Sequence, residues 1–128
     1  MYQSRMENER VTGEIIKAAM RVHSYLGPGL LESAYRICVA HVLVQRGLRV
    51  LSEVPVSVKF DGVVIETGLR LDLLVEDCVV AELKTVRKLM PVHRAQLLSY
   101  LKLSNKPTGL LINFHVARLK DGIKRIAN

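Results

Sequence analysis

The chain has 128 residues, 49% of them hydrophobic, which suffices for one domain that buries about two-thirds of its unfolded surface without disulfide staples. Cys38 and Cys78 form no CxxC pair and sit in no zinc-ligand cluster, the first ten residues hold no apolar signal-peptide core, and no apolar run approaches the roughly 18 residues of a membrane span. These features exclude a disulfide scaffold and a membrane protein and lead to the expectation of reduced thiols in a cytoplasmic protein, while the formal charge of +7 turns attention to polyanionic partners.

Apolar positions Ile15, Ile16, Ala19, Val22 and Leu26 recur at helical spacing and predict a first helix from about Glu9 to Tyr25, closed by Gly27-Pro28-Gly29. A second helix from about Leu30 to Gln45 should bury Leu31, Ala34, Cys38, Val42 and Leu43, with Gly47 as its stop. From Leu48 the period changes to two. Val54, Val56, Val58 and Phe60 alternate up to Asp61-Gly62, a hairpin turn, and Val63 to Thr67 continues beyond it. Leu69 to Val75 and Val79 to Val86 read as two more strands, and all four segments should share one sheet. Pro91 suits the first position of a third helix reaching about Leu103, after which Leu110 to Phe114 reads as a short buried strand. The tail from Arg118 to Ile126 contains Asp121-Gly122 and is expected to form a second hairpin, a loop leading into a short helix being the alternative.

Charge is distributed unevenly. Residues 1 to 82 carry nine Lys/Arg against eleven Asp/Glu, whereas residues 83 to 128 carry ten Lys/Arg against Asp121 alone. Such a basic half suits nucleic acid, or equally a solubilising surface. Aromatic residues make up only 5% with no Trp, so base stacking cannot dominate any such contact, and binding should rest on the phosphate backbone and weaken with salt.

The chemistry lies in Leu71-Asp72-Leu73-Leu74-Val75 and Val79-Val80-Ala81-Glu82-Leu83-Lys84, where three charged side chains interrupt apolar strands. Glu82 and Lys84, two apart, must share a face of the sheet. A three-residue turn of Glu76, Asp77 and Cys78 would put Asp72 directly opposite Glu82 on that face; a two-residue turn would separate them. Facing carboxylates repel, and a hard oxygen-loving cation, Mg²⁺ or Mn²⁺, is the natural remedy. A lysine beside such an ion can orient an attacking water or stabilise charge on a phosphate. A plain cross-strand salt bridge is the competing reading.

Asp72, nine intervening residues and Glu82-Leu83-Lys84 resemble the D-x(n)-(D/E)-x-K signature of PD-(D/E)XK nucleases, with Leu71 where the nominal proline would stand. Gly29-Leu30-Leu31-Glu32-Ser33-Ala34-Tyr35 resembles the motif of the GxxExxY protein family, placed among PD-(D/E)XK-like proteins, and Gln96 to Tyr100 resembles the QxxxY element that follows the lysine in RecB-like members. The resemblance implies an α/β, restriction-endonuclease-like core with a mixed central sheet flanked by helices, and a Mg²⁺-dependent nuclease acting on DNA ahead of RNA. It implies a metal site of Asp72, Glu82 and Glu32, the last acting directly or through water, with Lys84 and Gln96 as further catalytic residues. Tyr35 and Tyr100 are substrate-binding candidates, with packing as the alternative for each. Arg70, two before Asp72, is expected to bind phosphate or to pair with Glu66 or Glu82. Arg87, Lys88, His93 and Arg94 surround the entry to the third helix and are candidate phosphate contacts. His23, His41 and His115 show no ligand spacing and read as structural or surface residues. A non-catalytic nucleic-acid-binding module and a protein-interaction domain are the alternatives to a nuclease. A homodimer would lengthen the short binding surface, although no residue pattern specifies one.

Overall fold

A computed structural model describes residues 2–128; Met1 and the side chains of Tyr2 and Gln3 lie outside the described residues. The elements, in order, are α1 (Tyr2–Leu26), α2 (Glu32–Gln45), β1 (Val50–Phe60), β2 (Val63–Val75), β3 (Val79–Lys84), α3 (Pro91–Ser104), β4 (Thr108–Asn113), a 3-10 turn (Leu119–Gly122) and β5 (Ile123–Ala127). They form a five-stranded sheet in the order β1-β2-β3-β4-β5, antiparallel except for the β3–β4 pair, whose parallel crossover is supplied by α3. This is the α/β, restriction-endonuclease-like arrangement of a mixed sheet between helices.

The two-residue period of the strands sorts side chains between two cores. Val79, Ala81 and Leu83 of β3 with Leu110 and Ile112 of β4 face Val11, Ile15, Ala18, Ala19 and Val22 of α1 and Tyr35, Val39 and Leu43 of α2. Val80 and Leu111, on the opposite face, meet Leu97, Tyr100 and Leu101 of α3. Both central strands are buried on two sides and therefore read as unbroken apolar runs. Gly109 permits the close seating of α3, because a Cβ there would lie 3.0 Å from Leu97. Among the described residues, no helix is long and apolar enough to cross a membrane.

Several boundaries differ from the sequence reading. Helix α1 begins at Tyr2, well before Glu9, and the stripe on α2 runs through Tyr35, Val39, Val42 and Leu43, leaving Leu31 exposed as the N-cap. The expected break between Thr67 and Leu69 is a bend inside one strand, made possible by Gly68 at a φ of 78°, which lets β2 continue past an irregularity in its pairing with β1. Strand β3 stops at Lys84, two residues short of Val86. The tail hairpin across Asp121-Gly122 does not form: those residues lie in the 3-10 turn, and β5 pairs with β4 instead, where the edge of a buried strand offers an unsatisfied row of backbone groups.

The β1–β2 ribbon extends beyond the sheet. Only Leu73 to Val75 of β2 pair with β3, while the outer pairs Phe60↔Val63 and Val58↔Ile65 of the ribbon have no β3 partner. Phe60, Val63, Val64 and Ile65 are exposed there.

Candidate active site

The turn between β2 and β3 has three residues, and the pairs Leu73↔Ala81, Leu74↔Val80 and Val75↔Val79 carry the register to Asp72 opposite Glu82. At that step the ladder of backbone bonds gives way to side chains. Glu82 Oε1 accepts the backbone N–H of Asp72 at 3.0 Å, and Asp72 Oδ2 accepts the backbone N–H of Leu83 at 2.8 Å. Each carboxylate thus keeps one oxygen that no backbone amide engages. Both are carried by strands of the central sheet.

Glu32 arrives from the first turn of α2, and its carboxyl feels the charge of Asp72. The carboxyl groups feel burial and one another. Burial first, and then the charge of Asp72, pushes Glu82 up to about 8. Asp72 is raised by burial, with the Leu83 amide and the Lys84 charge opposing the rise. Burial raises Glu32 as well, and Asp72 adds to it. Lys84 shares the Glu82 face and donates from Nζ to Gln96 Oε1 at 3.1 Å, which joins the start of α3 to the end of β3. Tyr100, four residues after Gln96, packs its ring into the α3 core, and its phenol is raised by burial and by the charges of Glu82 and Asp72. The four residues Asp72, Glu82, Lys84 and Gln96 are therefore brought together, with Glu32 and Tyr100 beside them.

Other expected contacts are placed elsewhere. Tyr35 is wholly buried and stacked on Phe114 at 4.3 Å, and its hydroxyl donates to the carbonyl of Gly27 and accepts the N–H of Leu30. Its hydroxyl braces the turn that delivers Glu32, the packing alternative for this residue. Arg70 pairs with neither Glu66, which accepts from Ser57, nor Glu82; it donates to the carbonyl of Glu53 at 3.4 Å. His93 accepts the backbone N–H of Met90 at the start of α3 through Nδ1, a capping role. Arg87, Lys88 and Arg94 are exposed around that turn. His23 is buried against the Val116 carbonyl, His115 lies beside the Pro28 carbonyl, and His41 is exposed.

Two contributors were missed. Asn113, almost fully buried, donates to the Val86 carbonyl and accepts the N–H groups of Val86 and His115, clamping the segment that leaves Lys84. Its signal was an amide in the otherwise apolar run Leu110 to Phe114. Arg36 stands one helical turn after Glu32, and its charge reaches both Glu32 and Asp72.

Glu82 is buried, Asp72 and Glu32 are half-buried, and the charge of Asp72 raises the proton affinity of both Glu82 and Glu32; a hard divalent cation is the kind of ion that would relieve this repulsion. Among the described residues, however, no group of three or more His, Cys, Asp or Glu side chains is arranged to hold a metal ion. A family model described as the PD-(D/E)XK nuclease superfamily matches residues 9–126. No curated protein and no solved structure gives a significant match.

Proposed function

The chain belongs to the PD-(D/E)XK nuclease superfamily, and from that premise we propose that it is a metal-dependent nuclease that hydrolyses phosphodiester bonds, in DNA ahead of RNA. The observation that carries the reading is the exchange of hydrogen bonds that fixes Asp72 and Glu82 face to face beside Lys84. Asp72 and Glu82 would hold Mg²⁺ or Mn²⁺, with Glu32 joining them directly or through water. A bound ion would offset the carboxylate charge and favour deprotonation of an attacking water. Lys84, restrained by Gln96, orients that water for in-line attack or stabilises the charge gathering on the phosphate. Arg87, Lys88 and Arg94 lie where they can hold the flanking backbone, so affinity should fall steeply with salt.

Within the superfamily, the Gly29 to Tyr35 motif supports membership of the GxxExxY family, and its tyrosine has a structural use in bracing the Gly27–Leu30 turn. Two free cysteines agree with a cytoplasmic setting. A homodimer is supported by the projecting ribbon, one face of which carries Val58, Phe60, Val63 and Ile65 and no charge.

Cleavage of single-stranded, duplex and branched DNA and of RNA with Mg²⁺ or Mn²⁺ tests the proposal. Wild type should cut at least one substrate, and Asp72→Asn and Lys84→Ala should not. A second reading, a nucleic-acid-binding module without catalysis, is favoured by the lack of a ready-made three-ligand group among the described residues. It requires metal-independent binding that survives Asp72→Asn, with no cleavage by wild type.

A further inference from the structure

The row of carboxylates across the sheet does not end at Asp72. Ser52 pairs with Leu73 and Val54 with Leu71, so Glu53 of β1 stands opposite Asp72 just as Asp72 stands opposite Glu82. Glu53 has a φ of 52°, a left-handed backbone that a glutamate adopts only under constraint and that interrupts the ladder at this point. Two arginines converge on it: Arg70 donates to its carbonyl at 3.4 Å, and Arg36 approaches its carboxylate at 3.7 Å.

Arg36 is the unusual partner. Its side chain is only 16% exposed, against 54% for Glu53, so the buried member of the pair is the cation. At 3.7 Å the contact with Glu53 is an ion pair longer than a hydrogen bond, and among the described residues the Arg36 guanidinium makes no side-chain hydrogen bond. Its N–H donors thus engage only the loose ion pair with Glu53, on a stem held in place by α2, while its charge is felt at Glu32 and Asp72. A planar fork of this kind matches two oxygens of a phosphate, and ordering it in advance lowers the entropic cost of binding.

We propose that Arg36 forms a phosphate-binding subsite beside the catalytic carboxylates, which takes a phosphodiester of the nucleic-acid backbone, and that Glu53 is its resting counter-ion, displaced when the phosphate arrives. The proposal rests on the nuclease reading and adds to it a substrate contact on the β1 side of the site. A phosphodiester carries the negative charge that Glu53 supplies in its absence, so the two anions compete for one guanidinium. Arg70, tied to the Glu53 backbone, holds the bend that presents the counter-ion.

The test is equilibrium binding of fluorescein-labelled duplex and single-stranded DNA by anisotropy, with Ca²⁺ in place of Mg²⁺ to suppress turnover, for wild type, Arg36→Gln, Arg36→Lys and Glu53→Gln. Arg36→Gln should weaken binding about tenfold and reduce the slope of log K against log[salt] by about 1. Arg36→Lys should recover part of the loss, and Glu53→Gln should tighten binding several-fold. The opposite signs at the two positions are decisive. A structural ion pair would make Arg36→Gln and Glu53→Gln shift affinity in the same direction or not at all, and that result overturns the subsite. Thermal melts of each variant identify any that is misfolded, and Glu53→Gln keeps the arginine in place should Arg36→Gln fail to fold. If wild type cleaves and binds DNA while Arg36→Gln binds equally well, this inference alone falls. If wild type neither binds nor cleaves any nucleic acid, the nuclease reading and the subsite fall together.

Discussion

Asp72 and Glu82 each accept an amide from the strand that carries the other carboxylate: Asp72 N–H to Glu82 Oε1 at 3.0 Å and Leu83 N–H to Asp72 Oδ2 at 2.8 Å. Two like-charged groups are thereby held across a single strand pairing in a site where one of them, Glu82, is almost fully buried. The backbone amides lessen the electrostatic cost without removing it. The remainder is expressed as a raised proton affinity of Glu82: burial and the Asp72 charge push its carboxyl up to about 8.

The metal-free protein should therefore lose stability as pH rises. Between the ordinary glutamate value of 4.5 and about 8, the folded state binds more protons at Glu82 than the unfolded chain does, so the free energy of unfolding falls through that window. Melting curves in EDTA should show a declining Tm for wild type. Glu82→Gln, which keeps an acceptor for Asp72 N–H and removes the ionisation, should be flatter and exceed wild type by about 5 °C above the upper end of the window. Identical pH profiles would show that Glu82 ionises in place with no penalty.

Added Mn²⁺ should raise the Tm of wild type and release protons, because the ligands bind as carboxylates. Isothermal titration in two buffers of different ionisation enthalpy reads the proton release directly. Asp72→Asn should abolish the stabilisation. A Tm increment that persists in Asp72→Asn would place the ion elsewhere.

Gln96→Ala leaves the charge of Lys84 intact but removes the oxygen that receives its ammonium at 3.1 Å. Cleavage should slow by about tenfold with substrate affinity nearly unchanged, whereas Lys84→Ala should cost about 100-fold or more. Comparable kcat values for wild type and Gln96→Ala would assign that contact to the resting state alone.

Tyr35→Phe deletes a hydroxyl that bonds to Gly27 and Leu30 inside the fold. Two backbone groups lose a partner, at a cost of about 1–3 kcal/mol in denaturant unfolding. DNA affinity per folded molecule should be unaltered. A drop in affinity without a drop in stability would return Tyr35 to the substrate.

Phe60→Ser, at the tip of the ribbon, should leave the melting behaviour intact and shift any dimer to monomer in sedimentation or light scattering, since Phe60 is 74% exposed and takes no part in either core. A dimer that survives the substitution uses another face.

Much of this site was legible from spacing. The two-residue period alone puts Glu82 and Lys84 on one face, and the unbroken apolar runs around them mark strands buried on both sides. Turn chemistry at Asp61-Gly62 and the proline at the start of α3 locate their elements to within a residue or two. These signals are local. Side-chain alternation, the Asp61-Gly62 turn and the Pro91 helix start are each set by a few neighbouring residues, whereas the start of α1 at Tyr2 and the absence of a hairpin at Asp121-Gly122 were not declared by local signals.

What the tertiary structure alone decided are relationships between residues far apart in the chain. Whether Asp72 faced Glu82 depended on the length of one turn, because a slip of a single residue reverses every side chain of a strand. The partner of Tyr35, the capture of Arg70 by Glu53 and the pairing of β5 with β4 follow from how helices and sheet settle to satisfy buried polar groups, a condition imposed on the whole fold at once. The sequence by itself named the chemical groups and their faces; packing set the distances at which they act.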